Sequence, residues 1–354
     1  MKPHNFDSEL LTRPHSIQWC ADIFAPSGDM IELVPIESGS VTLTGRDRSR
    51  TRGDLTLIDV EGVWDPDGFT GASPYGGHLQ MCAQVFGENI YIAGGLILEV
   101  AHQRPEGTVR VAFVDYGVQA GWDLFFGPWN FAGTEAMAPT IEFLMEECAS
   151  TATVIDPGVP GTLAGAFVEE QSRESAVGHI CNDSDIVCWM DEFRRIRLQP
   201  EPVSATTPAV YTLRDGPTGT VTREAQTLSR DGVPSYVIVS GERPQGGGNP
   251  VWSLAFQASG PTNVEGPFGR VIQIANRPVL TTSDACLAAA RTILAQQSRL
   301  VRDLRLSAVT HPALEPGDRV DVILEDRGMP MVIEEIRFAM GVDAMEVSVV
   351  EAQP

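Results

Sequence analysis

The chain has 354 residues, with 47 acidic against 25 basic side chains and a net charge of -22. It therefore lacks the Lys and Arg surplus that holds nucleic-acid phosphates, which excludes an electrostatic grip on DNA. Hydrophobic residues at 43 % and charged residues at 20 %, with 34 Gly and 25 Pro, exclude a disordered or long-helical protein and fit turn-rich β-structure in about two to four domains.

The opening segment MKPHNFDSEL has no apolar core of a signal peptide, so synthesis in a cytoplasm is expected. Beyond an N-terminal arm, strands are expected at 30–35, 40–44 and 54–60, where apolar and polar residues alternate or β-branched residues cluster. After the turn-rich loop around Trp64-Asp65-Pro66-Asp67-Gly68, further strands are expected at 79–86, 89–92, 96–101 and 108–115. Together they predict a barrel or sandwich over residues 25–125. The longest apolar runs, such as 90–100, fall far short of the roughly 20 residues that cross a bilayer, so no membrane anchor is expected.

The period then changes. Met137, Ile141, Leu144, Met145 and Cys148 recur at helical spacing behind Thr134, an N-cap candidate, predicting a helix over 134–150. A second helix is expected from Ser172, with Ala176, Val177, Ile180 and Cys181 on one face. A hairpin is expected from 187–190 and 195–198, turning through Asp191-Glu192-Phe193. The run Gln199-Pro200-Glu201-Pro202 reads as a linker. Strands resume at 209–214, 221–229, 235–240 and 251–258. A third helix is predicted over 282–301, capped by Ser283 and turning Cys286, Ala289, Ala290, Ile293 and Leu300 toward a barrel wall. The C-terminus returns to strands at 303–309, 319–324, 330–338 and 344–351.

No local motif calls for catalysis. Asp65 and Asp67 resemble the start of a calcium loop without its later acidic ligands, and read as a turn. His179, Cys181 and Cys188 have zinc-like chemistry, but Cys181 falls on an apolar helix face and Cys188 opens a strand, so both read as core thiols. Gly246-Gly247-Gly248 leads into Asn-Pro and not into a helix, which removes the basis for a phosphate cradle. All six cysteines are expected to be free thiols, with no metal and no cofactor, because no CxxC spacing occurs.

Several segments, in order, resemble the hub proteins of bacteriophage tails, both the baseplate hub of contractile tails and the hub region of tail-associated proteins. They are the strand YVIVSG at 236–241, the loop Gly266-Pro267-Phe268-Gly269-Arg270, the Ala-rich helix at 284–301 and the turn Leu314-Glu315-Pro316-Gly317-Asp318 before a strand. Residues 169–198 resemble the small domain of that family, and 40–59, an Arg-rich loop leading to the strand DLTL, its first barrel.

The resemblance implies a mainly β chain with a small α+β unit: two barrel-like, tail-tube-like hub domains over 1–128 and 201–354, and a peripheral α+β domain over 129–200. It implies a structural, non-enzymatic hub at the virion tail tip, assembled in the host bacterial cytoplasm. Three copies would form a ring between tail tube and tip, through whose lumen DNA passes without specific nucleic-acid binding. Implied partners are the two other copies of a homotrimer, a distal tail protein, further tail-tip or fibre proteins and a tape-measure protein. Part of the acidic surplus is expected to face the lumen. The alternatives are a cell-wall or carbohydrate-binding adhesion module and a tail-associated hydrolase.

Overall fold

The computed structural model describes residues 1–12, 15–25, 28–45, 49–59, 76–103, 107–146, 153–163, 166–200, 203–228, 233–241, 251–259, 262–277, 280–297, 302–325, 327–341 and 344–352. Its first six strands are β1 (Gln18–Phe24), β2 (Met30–Thr44), β3 (Thr51–Ile58), β4 (His78–Val85), β5 (Glu88–Gln103) and β6 (Thr108–Val114). The middle holds α1 (Val118–Trp122), β7 (Trp129–Phe131), α2 (Met137–Leu144), β8 (Thr153–Ile155), β9 (Phe167–Glu169), α3 (Arg173–Ser184), β10 (Ile186–Met190) and β11 (Ile196–Pro200). There follow β12 (Tyr211–Arg214), β13 (Val221–Leu228), β14 (Tyr236–Ser240), β15 (Trp252–Phe256), β16 (Ile272–Asn276) and α4 (Ser283–Gln297). The last strands are β17 (Arg302–Val309), β18 (Arg319–Leu324), β19 (Arg327–Met340) and β20 (Ala344–Glu351). Among the described residues no helix is long and apolar enough to cross a membrane.

Because β1 pairs with both β4 and β2, the order β1-β4-β5-β6-β3-β2 closes on itself. Alternation sends one face of each strand inward: Leu55 and Leu57 of β3, Val109 and Val111 of β6, and Leu79 and Met81 of β4 are fully buried. Gly53 points inward too, where a Cβ would lie 2.1 Å from the Phe113 ring, so this barrel spends a glycine to seat that aromatic. A second set, β12-β18-β19-β20-β17-β13, forms an open barrel-like sheet, since among the described residues no ladder joins its end strands β12 and β13.

Two long strands fuse the barrels. The first half of β2 pairs with β1, and its second half, Gly39 to Thr44, pairs with Met340 to Glu335 of β19. The same division holds for β19, whose first half pairs with β18. Each strand carries a register shift near its midpoint, between Ile36 and Ser38 in β2 and between Ile333 and Glu335 in β19. A bulge bends a strand and raises its twist, which lets one strand close its own barrel and then cross to the other. A single apolar cluster runs through both interiors.

The α+β unit packs Phe131, Met137, Ile141, Leu144, Ile180 and Ile196 into a core of its own. Helix α3 starts as its sequence dictates, with the Ser172 hydroxyl accepting the Ser175 N–H at 3.1 Å, and ends on Asp185 in the left-handed region. Helix α2 is shorter than expected. Its N-cap is Ala136, not Thr134, because the Glu135 carboxylate takes the Ala132 and Thr134 amides. The expected linker also starts later, since β11 continues through Pro200, paired to Ile186.

A separate three-stranded sheet, β15-β14-β16, carries α4 on one face. The expectation that this helix lies on a barrel wall is therefore corrected: Cys286, Ala290, Ile293 and Leu294 pack on Val237, Val239 and Ala255. The cap is Thr282, whose hydroxyl accepts the Ala285 N–H at 3.2 Å, rather than Ser283. Leu300 and Cys148 lie outside the described residues.

Candidate assembly interface

The turn at 314–318 and the Arg-rich loop before β3, both conspicuous in the sequence, meet at one buried charged junction. Arg50 is buried, donates to the Pro316 carbonyl and lies 4.2 Å over the Trp189 ring. Burial lowers its pKa, while Glu315, Asp318, Asp115 and Glu192 pull the other way. A buried guanidinium is tolerable only with such company, since removing its partners strands a charge in low dielectric.

Lys2 bonds Glu192 and lies 3.6 Å from Glu315. Burial pushes Glu315 up, but Lys2 and Arg50 overcome it and hold the carboxyl below its usual value. Asp115, at the end of β6, accepts the Gly117 N–H at 2.7 Å, and burial drives its pKa up to about 7. In the turn after β10, Asp191 accepts the amides of Phe193 and Arg195 and the Arg195 Nε at 2.7 Å. The junction thus ties the N-terminal arm, both barrels and the α+β unit into one frame.

The arm is also held by aromatics. His4, Phe6 and Tyr211 surround His311, whose Nδ1 accepts the Ala313 amide and whose Nε2 faces the Ser8 hydroxyl at 3.0 Å. Burial in this pocket depresses the His311 pKa to about 3, so the ring is neutral.

The fused barrels present a continuous outer face over β5, β6, β3, β2, β19, β20, β17 and β13. Cross-strand register puts Glu99 beside Ala112, Asp54 between Ala112 and Ser40, Thr42 between Arg52 and Arg337, and Ser348 between Glu335 and Arg305. Small hydroxyl and methyl side chains alternate with charges of both signs. Asp54 pairs with Arg110, and Glu346 lies 3.6 Å from Arg337. The arginines at 52, 110, 223, 305 and 337 are balanced by the carboxylates at 54, 99, 334, 335 and 346, so this face does not hold the chain's acidic surplus.

The residues singled out for chemistry are dispersed. His179 is half-exposed and its Nε2 lies 3.2 Å from the Glu169 carboxylate, while Cys188 Sγ is 3.7 Å from Met145 Sδ. Among the described residues no group of three His, Cys, Asp or Glu side chains is arranged to hold a metal. Asp65, Asp67 and Gly246 to Gly248 lie outside the described residues. The expectation of six thiols is corrected: Cys20 and Cys82, direct register partners on β1 and β4, form a disulfide, while Cys181, Cys188 and Cys286 are in no disulfide. Their separation by 62 residues hides the pairing from any spacing rule.

No protein-family model and no curated protein matches the sequence. Solved structures do. The 43 kDa tail protein of prophage MuSo2 from Shewanella oneidensis is similar with a TM-score of 0.65 and 11 % identity, over 95 % of this chain and 98 % of that one. A tail protein from Neisseria meningitidis MC58 is similar with a TM-score of 0.68 and 15 % identity, over 95 % and 99 %. An E. coli component of the type VI secretion system, described as similar to T4 bacteriophage tail proteins gp27 and gp5, gives a TM-score of 0.53 at 9 % identity, over 90 % and 75 %. The chain shares the fold of these tail proteins, and the mainly β architecture expected from the resemblance is present.

Proposed function

We propose that this chain is a structural hub of a phage tail tip or baseplate, an assembly protein and not an enzyme. Three copies close a ring that joins the tail tube to the tip around the DNA exit channel. The observation that carries this reading is the fusion of two six-stranded barrels through β2 and β19. Three such chains offer six similar barrels, which matches a sixfold tube on one side and a threefold tip on the other. The partners are then a distal tail protein, tip or fibre proteins and the tape-measure protein, and the site of action is the virion tail tip.

In this ring the continuous outer face lines the channel. Its near balance of Arg and carboxylate revises the expected acidic wall to a neutral one studded with short side chains. A wall with no net positive charge releases few counterions from passing DNA and does not hold it.

The test is genetic and structural together. Deleting the gene from the phage or prophage that encodes the chain is expected to stop tail assembly at the tip, with infectivity restored by the intact gene in trans. Complete, infectious particles lacking the chain would contradict the reading. So would release of cell-wall fragments or sugars by the purified protein, abolished by a single carboxylate substitution.

A further inference from the structure

Among the described residues the three-stranded sheet β15-β14-β16 is covered by α4 on one face only, yet both faces are apolar. Trp252, Leu254 and Phe256 of β15 and Ile272 and Ile274 of β16 project from the open face, exposed by 58, 38, 52, 57 and 72 %. A sheet with one solvated face ordinarily alternates apolar with polar residues, and strands apolar on both sides are those buried on both sides. These five side chains expose on the order of 500 Å², comparable to the largest apolar patch of an ordinary monomer.

A second apolar surface protrudes from the α+β unit. Trp122, Leu124, Phe126 and Trp129 are exposed by 60, 61, 109 and 45 %. The loop is held in shape by stacking of Phe125 on Trp129 at 5.8 Å and by a tilted contact of Trp129 with Phe143 at 5.6 Å.

We propose that copies of this chain dock head to tail, the aromatic loop at 122–129 of one copy seated on the open face of β15-β14-β16 in the next. The inference rests on the ring reading above and names the contact that closes it. Charge identifies the occupant. Residues 233–282 hold only Glu242 and Glu265 against Arg243, Arg270 and Arg277, in a chain whose net charge is -22. Exposed Arg270 lies 5.9 Å over the Tyr236 ring of the same sheet. Beside the aromatic loop Asp123 and Glu146 both bind Arg173, which lies over the Phe143 ring, so two carboxylates stand against one guanidinium there. The flat patch is the acid-poor part of an acidic protein and the protruding one is acid-rimmed, so the two are complementary where two random faces of the same chain would repel.

The contact is between copies because one chain holds the two surfaces apart. Asp123 is bound by Arg173 in the first turn of α3 at 2.6 Å, and Arg277, just after β16, is bound to Asp183 in its last turn at 2.7 Å. Arg173 and Asp183 are ten residues apart on α3, which separates these anchors by about 15 Å. A contact between different surfaces of like copies is heterologous and closes a ring when its rotation permits.

The test uses tails assembled from a mixture of Phe126→Cys chains and Ile274→Cys chains, oxidised and run without reductant. A crosslinked pair is expected from the mixture and not from either variant alone. Phe126→Asp and Ile274→Asp, both on exposed positions, are each expected to lower the yield of assembled tips at least tenfold while the purified variants melt like the wild type. Threefold tips that form at full yield from both Asp variants, with no crosslink, would overturn the contact and leave the ring standing. A tip holding one copy of the chain would remove both. Protection of the sheet face only on addition of a different tail protein would give the face to that protein and likewise overturn the proposal.

Discussion

Cys20 and Cys82 face each other across β1 and β4 with Cα atoms 5.2 Å apart, a pairing that depends wholly on the register of two strands distant in sequence. A reducing cytoplasm keeps such thiols reduced, and the bond is expected once the protein meets an oxidising medium. Cys20→Ser should then cost the oxidised protein about 2–4 kcal/mol of stability and the reduced protein much less. Equal denaturation midpoints for both oxidised proteins would show that the thiols stay unpaired.

Asp115 gives a pH signature. Its folded pKa of about 7 lies above the ordinary Asp value near 3.9, so between these pH values the folded state holds a proton that the unfolded chain has lost. Stability from this group therefore falls as pH rises from about 4 to about 7 and is level above. Asp115→Asn keeps an oxygen for the Gly117 amide and removes the charge. The variant should exceed the wild type in melting temperature at pH 8 and approach it at pH 4, whereas parallel profiles would contradict the assignment. At this scale the sequence was legible for Ser172, whose cap follows from local chemistry. It was silent on Arg50, Asp115 and Glu315, because a buried charge cluster is made by tertiary contacts between segments far apart.

At the scale of elements, β18 and β20 were legible to their ends, because strict alternation and flanking turns bound them. Three features were not. The strand β1 (QWCADIF) hides its alternation behind Asp22, whose carboxylate is taken by the Tyr91 hydroxyl at 2.7 Å. The strands expected at 30–35 and 40–44 are one, since a bulge and not a turn separates them. Those expected at 89–92 and 96–101 are also one. There Gly94 and Gly95 read as punctuation, but a Cβ would lie 2.6 Å from the Glu192 carbonyl at the first and 2.1 Å from the Val114 carbonyl at the second. The glycines permit close backbone approach inside a strand. Gly95→Ala should accordingly cost about 1–3 kcal/mol in chemical denaturation, as overpacking does. An unchanged midpoint would mean that β5 has room to shift away from β6.

At the scale of the whole molecule, the two fused barrels were foreseeable as a class of architecture, while their junction was not, since the β2–β19 pairing joins residues nearly a full chain apart. The charge of the outer face follows from that pairing. If the face lines the channel, replacing Glu335 and Glu346 by Lys turns a balanced wall positive, and DNA delivery should slow, more so at low salt. Delivery unaffected by both substitutions would put this face elsewhere. The most direct measurement of the central claim is a reconstruction of the assembled tail tip by electron cryomicroscopy without imposed symmetry. The account predicts three copies of this chain, with six barrels around an open channel walled by the outer face of β3, β2, β19 and β20. A single copy, six copies, or barrels with that face turned to the outside would contradict it.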